Sequence, residues 1–145
     1  MNVLVDTCVI IDSLQHRMPF AQYSDALCLE AASGKISGFI TANSISEIYY
    51  ILHRSLHNNN DAREALKKLC LSFGILDTTE MDCINALSSP VSDFEDAITV
   101  ETGTRCHIDS IVTQNTKNFK NSTLIVYEPD EFLKILNEEP KREKT

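Results

Sequence analysis

Short apolar runs and stretches of helical period alternate along the whole chain, and that alternation predicts an α/β fold before any single residue is weighed. Met1-Asn2-Val3-Leu4-Val5 is too short for an amphipathic helix and rich in residues that suit a packed, pleated surface, so it predicts a buried strand. After Asp6 a short helix is expected to about His16, and beyond Pro19 a second from Tyr23 to Ser33, ended by Gly34. Ile36 to Thr41 predicts the second strand. Ile45, Ile48, Tyr49, Ile51, Leu52 and Leu56 then recur at helical spacing, with Asn43 or Ser44 as the cap. Ser44 and Glu47 fit an S-x-x-E capping box, which would place Glu47 in the first turn.

The second half repeats the alternation. Asn58-Asn59-Asn60 predicts a loop, and Asp61 opens a helix that ends at Gly74. Ile75 to Asp77 is a brief strand, Thr79 a cap, Met81 to Leu87 a helix, and Ser88-Ser89-Pro90 a turn. A helix over Asp93 to Thr104 leads into the strand Ser110–Thr113. The last strand covers Leu124 to Tyr127, and Pro129 opens a final helix to Leu136. Strands separated by helices imply parallel βαβ units with helices on both faces of the sheet. One domain is expected over residues 1–136, followed by a charged tail, residues 137–145.

Composition narrows the class. At 145 residues, 43% hydrophobic and 23% charged, the chain suits one globular domain. No apolar run approaches the roughly 18 residues a membrane span needs, and the start carries no basic leader, so a cytoplasmic protein off the membrane is expected. Five scattered cysteines without a C-x-x-C pair argue against zinc or a disulfide framework. The net charge of −8 has the wrong sign for tight, passive binding of nucleic acid. It leaves transient cleavage open if some of that charge is gathered to hold divalent cations.

Several acids fall where such gathering could happen. In parallel sheets ligands bind beyond the carboxyl ends of the strands. Asp6 closes the first strand there, with no apolar partner to justify it. Glu47 follows the second strand, Asp93 and Asp96 open a later helix, and Asn115 follows the strand ending at Thr113. Plain roles exist for most of them. Glu47 belongs to the capping box, Asp93 is an N-cap, Asp96 complements the helix dipole, and Asn115 suits a turn. Asp12 reads as a solvated helix residue, and His16 and His107 as surface residues. Asp6 is the hardest to explain away. Carboxylates forced together repel, and a hard dication such as Mg²⁺ or Mn²⁺ removes the conflict.

Val3-Leu4-Val5-Asp6-Thr7, Ile40 to Ile48, Asp93-Phe94-Glu95-Asp96-Ala97 and Ile111 to Phe119, in that order, together resemble a PIN domain, most closely the VapC-like ribonuclease toxins of bacteria. The resemblance runs from Met1 to about Leu136. It implies a three-layer α/β/α fold with a central parallel sheet flanked by helices. It also implies a Mg²⁺- or Mn²⁺-dependent endoribonuclease, the toxin of a toxin–antitoxin pair. Asp6, Glu47 and Asp96 match the family's three acids, expected both to bind metal and to carry catalysis. Asn115 stands where many members have a fourth acid and others an Asn, so it is a further candidate ligand and weakens a second metal site. Asp93 is then a candidate to substitute or hold a water, Thr113 is expected to orient the site through its hydroxyl, and Cys8 replaces a common Asn or Ser.

The expected chemistry is attack of an activated water on an RNA phosphodiester, giving 5′-phosphate and 3′-hydroxyl ends. His16, Arg17, Lys117 and Lys120 are candidates to touch the RNA backbone. A homodimer, silenced by a small antitoxin, follows from the resemblance, and Tyr49 and Tyr50 could serve its groove. A haloacid-dehalogenase-like phosphatase would need a second Asp where Cys8 stands. No receiver-domain pattern is evident, and no glycine pattern supports a P-loop or dinucleotide fold. The serious rival is a catalytically silent PIN-like domain that binds RNA or protein.

Overall fold

The structure is a computed structural model that describes residues 1–138; residues 139–145, most of the expected charged tail, lie outside the described residues. Strand β1 (Asn2–Val5) leads into helices α1 (Thr7–Leu14) and α2 (Ala21–Ala32). Strand β2 (Ser37–Thr41) leads into α3 (Ala42–Leu56) and α4 (Asn59–Ser72). Strand β3 (Phe73–Leu76) is followed by α5 (Glu80–Ala86) and α6 (Phe94–Arg105). Strand β4 (Ser110–Val112), a 3₁₀ turn (Thr116–Phe119), β5 (Ile125–Tyr127) and α7 (Pro129–Glu138) complete the chain.

All strands pair parallel, in the order β3-β2-β1-β4-β5. Side chains alternate across the sheet, so neighbours in one strand feed opposite cores. Val3, Val5, Ile40 and Val112 face a core built with α1, α2, α3, α4 and α7, through Ile10, Leu27, Ile48, Leu69 and Phe132 among others. Leu4 and Ile111 face the other, built with α5, α6 and the 3₁₀ turn through Ala86, Ala97, Val100 and Phe119. Burial on both faces explains why β1 and β4 read as continuous apolar runs. The expected three-layer α/β/α fold is what forms.

Topology then fixes where a ligand can sit. From β1 the chain builds outward to β2 and β3, then crosses to β4 on the other side of β1. The reversal leaves a crevice between β1 and β4 at their carboxyl ends. Val5 pairs with Val112, and the Asp6 N–H donates to the Val112 carbonyl at 3.0 Å, so Asp6 and Thr113 emerge side by side. The sheet delivers an acid and a hydroxyl to the switch point.

Several local expectations need correction: Asn58 is the N-cap of α4, which begins at Asn59 inside the expected loop. Gly74 does not end α4: the helix stops at Ser72, and Gly74 lies inside β3, opposite Phe39. Gly38 and Phe73 face each other in the same way, so each glycine lies beneath the other strand's ring. A Cβ at Gly38 would stand 2.8 Å from the Phe73 ring and 3.1 Å from the Ala31 Cβ. Gly38→Ala is therefore expected to cost about 2 kcal/mol through overpacking, read as a lower midpoint in chemical denaturation. An unchanged midpoint would mean that the ring moves aside freely. A further correction concerns Asp12, which is 5% exposed rather than solvated. Burial raises its carboxyl above the ordinary range, partly opposed by the charge of Arg17.

Candidate active site

Asp6 is the N-cap of α1. Its Oδ1 accepts from the Thr7 N–H at 2.9 Å, which satisfies one of the helix's free donors. Its Oδ2 accepts from the Thr113 hydroxyl at 2.7 Å and from the Cys8 thiol at 3.5 Å. Thr113 is fully buried, and its oxygen in turn accepts from the Asn115 N–H at 3.0 Å. The carboxylate is thus held at both oxygens by the ends of β1 and β4. Burial and then the Asp6 charge push the Cys8 thiol up to about 12, so it stays protonated and serves Asp6 as a donor.

A second hydroxyl chain joins the ends of β1 and β2. The Thr7 hydroxyl donates to Ser44 at 2.9 Å, and Ser44 and Thr41 share a hydrogen bond of 3.0 Å. Thr41 also accepts from the Ser44 N–H at 3.3 Å and is the N-cap of α3. The sequence pattern put that cap one turn too late, at Asn43 or Ser44. Ala42 is a strong helix former and Thr41 a competent cap, so α3 begins directly off the strand. Ser44 becomes the third helical residue, and Glu47 falls in the second turn, outside any capping box. Its carboxylate is exposed and the structural explanation for it is gone.

Asp93 is the N-cap of α6, as its position suggested, with its Oδ1 accepting from the Asp96 N–H at 3.0 Å. Asp96 lies three residues further on and is half-buried. Burial first, then the charges of Asp6, Asp93, Glu95 and Glu47, push its carboxyl up to about 7. That list matters because it joins acids from β1, α3 and α6. Asp6 and Glu47 both act on Asp96 through space, although at least 40 residues lie between each sequence-matched acid and the next. Asn115 is exposed at the carboxyl end of β4, two residues past Thr113, and its side chain does not cap the 3₁₀ turn. His16 is a surface residue, with Nδ1 3.9 Å from Asp25.

Hard oxygen donors of this kind suit Mg²⁺ or Mn²⁺, and the load on Asp96 is of the sort that a dication relieves. The acids are crowded without being in register for direct ligation. Among the described residues no three His, Cys, Asp or Glu groups are grouped closely enough to hold an ion. The donor set fits an ion that keeps part of its own water shell, as Mg²⁺ does. Cys8 as a donor to Asp6 and the Thr7–Ser44–Thr41 chain escaped the sequence reading. A threonine or serine at the end of each central strand was the available signal.

A parallel sheet with acids gathered at its switch point defines a class of α/β domain built to bind ligands at the carboxyl edge. Comparison with known proteins makes the class specific. The PIN domain family matches residues 2–117, and the chain belongs to that family. No curated protein matches the sequence significantly. Solved structures with the same fold include VapBC2 from Rickettsia felis bound to a DNA fragment from its promoter, with TM-score 0.67 and 17% identity over 88% of this chain and 98% of that one. A toxin–antitoxin complex from Klebsiella pneumoniae gives TM-score 0.65 and 22% identity, over 88% and 97%. FitAcB from Neisseria gonorrhoeae gives 0.63 and 19%, over 88% and 97%. Among the described residues no helix is long and apolar enough to cross a membrane.

Proposed function

We propose that the protein is a Mg²⁺- or Mn²⁺-dependent endoribonuclease and the toxin of a toxin–antitoxin pair. The observation that carries the reading is the Asp96 carboxyl, raised to about 7 by burial and by the charges of Asp6 and Glu47 among its neighbours. Carboxylates drawn from three distant segments into mutual repulsion need a cationic ligand to justify them. Structural ion pairs would have supplied one, and none of these acids has one among the described residues.

In this reading Asp6, Glu47 and Asp96 hold the ion in part through waters that it keeps, with the Asn115 amide oxygen as a neutral fourth donor. A divalent cation bound there would lower the pKa of a water and stabilise charge growing on a phosphoryl oxygen. Thr113 and Cys8 keep Asp6 in one orientation, and Asp93 fixes the first turn of α6 so that Asp96 faces the crevice. A carboxylate of the set takes the proton of the attacking water, which approaches in line with the leaving 3′ oxygen. The products would carry 5′-phosphate and 3′-hydroxyl ends.

Partners follow from the neighbours and the charge. The similar structures are toxin–antitoxin complexes, and a chain of net charge −8 suits an antitoxin with a basic inhibitory segment. A homodimer completes the proposed assembly.

The direct test is cleavage of single-stranded RNA by purified protein with Mn²⁺, abolished by EDTA. Metal alone should raise the melting temperature, because an ion that binds only the native state stabilises it; about 3 kcal/mol is expected at a hundredfold excess over Kd. No thermal shift with either cation and no cleavage would defeat the reading. Thr113→Val keeps the shape but removes the donor to Asp6. Cleavage should fall by roughly tenfold to a hundredfold, with Thr113→Ser close to wild type. Equal activity in both variants would dismiss the orienting role.

The neutral Asn115 and the loose spacing of the acids favour one second reading, a silent PIN-like domain that binds RNA or protein. Binding of RNA without metal and without cleavage would establish it.

A further inference from the structure

We infer that a cleft between the C-terminal ends of α1 and α3 is a subsite for an RNA phosphate flanking the one that is cut; this rests on the ribonuclease reading above. The cleft has a volume of about 390 Å³ and is lined by Gln15, Arg17, Ile51, Arg54 and Ser55. Two guanidinium groups converge there in a chain whose net charge is −8. Three other basic side chains are engaged by carboxylates: Arg105 pairs with Asp82, Lys35 with Glu30 and Lys67 with Glu64. Among the described residues Arg17 and Arg54 form no ion pair with a carboxylate. The Arg17 N–H donates to the Asp12 carbonyl at 3.0 Å, and the buried Asp12 carboxyl feels the Arg17 charge with no ion pair between the two side chains among the described residues.

Both arginines are also held in place. The Arg17 Nε and Nη2 donate to the Gln15 Oε1 at 3.1 and 2.8 Å, and among the described residues its remaining side-chain N–H groups have no hydrogen-bond partner. The Arg54 guanidinium carbon lies 5.9 Å from the centre of the Tyr50 ring. A fork of fixed donors matches the oxygens of a phosphate better than a flexible ammonium does.

Position relates the cleft to the acids. Glu47, Ile51 and Arg54 are spaced i, i+4 and i+7, so they form one stripe along α3. Seven residues of helix rise about 10 Å, a span of roughly two to three nucleotides. A strand whose scissile phosphate lies at Glu47 would bring a later phosphate to Arg54 and Arg17. The repulsion that the acidic site exerts on RNA would be offset at that distance.

The experiment uses a mixed-sequence single-stranded oligoribonucleotide and the full chain. In an Asp96→Asn background with Mg²⁺, binding is followed by fluorescence anisotropy against salt, with Arg17→Ala, Arg54→Ala and both together. The double variant should bind roughly tenfold more weakly, and its slope of log K against log salt should fall by about 1.4. With Asp96 intact, the double variant should raise KM and leave kcat within about twofold. Inorganic phosphate should compete for wild-type binding and much less for the double variant. Arg63→Ala, an exposed base on α4 that does not line the cleft, should bind as wild type does. An unchanged salt slope and KM in the double variant would overturn the subsite while leaving the nuclease reading intact. An equal loss with Arg63→Ala would overturn it too, as diffuse charge. RNA that is neither bound nor cut by the wild-type chain would remove the nuclease reading itself, and the subsite with it. Binding of an acidic peptide in place of RNA would assign the cleft to a protein partner.

Discussion

Asp96→Asn is expected to lose roughly a thousandfold of the metal-dependent RNA cleavage while melting higher than wild type when metal is absent at neutral pH. The loss follows from removing a charged oxygen from the acid set, worth about 4 kcal/mol in the transition state at that factor. The gain in stability follows from the same crowding. With its carboxyl raised to about 7 in the fold, against an ordinary 3.8, Asp96 favours folding only while it is protonated. That contribution is complete below about pH 4 and is lost as pH rises through 7. An amide stays neutral throughout. Allowing for partial solvent screening, the variant should gain on the order of 2 kcal/mol at pH 7.5, or roughly 5 °C in melting temperature. Thermal melts from pH 4 to 8 in EDTA, with cleavage assays beside them, read both effects. Wild-type cleavage in the variant would end the catalytic assignment, and an identical fall of stability with pH in both proteins would end the electrostatic one.

The second large effect lies away from the crevice. Asp82 is 2% exposed and holds α5 against α6. Its Oδ2 accepts from the Thr79 N–H at 2.9 Å and from the Thr102 hydroxyl at 3.3 Å. Arg105 donates to it from Nε at 3.0 and 3.1 Å and from Nη2 at 3.1 Å, and also reaches the Asp77 carbonyl. Asp82→Ala removes the capping box of α5 and these charge-assisted bonds, so a loss of about 3 kcal/mol and roughly 10 °C is expected. Burial works to raise the Asp82 carboxyl, but the Arg105 and Thr79 bonds outweigh it and hold it below the ordinary 3.8. The stabilisation is therefore present above about pH 4 and fades as pH falls through the lower folded value. Wild type should lose its advantage over the variant in acid, and equal denaturation midpoints at pH 7 would show that the bonds contribute nothing net. Because α6 carries Asp93 and Asp96, the variant should also weaken cleavage without touching the site.

The order of elements was readable because the central strands β1 and β4 are buried on both faces and the helices bury an apolar stripe. Those conditions leave continuous apolar runs and helical stripes that need no partner to be recognised. The caps were readable where a single local choice dominates, as at Thr79 and Asp93. They were not where two compete: α3 starts at Thr41 because the strand delivers a hydroxyl directly to an alanine, and the box at Ser44 and Glu47 is never used. Gly74 misled for a related reason. A glycine after a helix commonly stops it, but here the Phe39 ring across β2 requires the missing Cβ. The Asp82–Arg105 pair had no sequence signal, since its members are 23 positions apart.

By itself the sequence determined the class of fold and the placement of Asp6 at a strand end, and its resemblance to the PIN family proposed Asp6, Glu47 and Asp96 as the acids of the site. Local burial, capping and spacing are short-range physics, and they are written in neighbouring residues. Only the tertiary structure decided that β1 lies beside β4, so that Thr113 and Cys8 hold Asp6, and that charges from β1, α3 and α6 load one carboxyl on α6. Coulomb interactions depend on distance through space, and parallel pairing across intervening helices sets those distances. No stretch of the chain could state them alone.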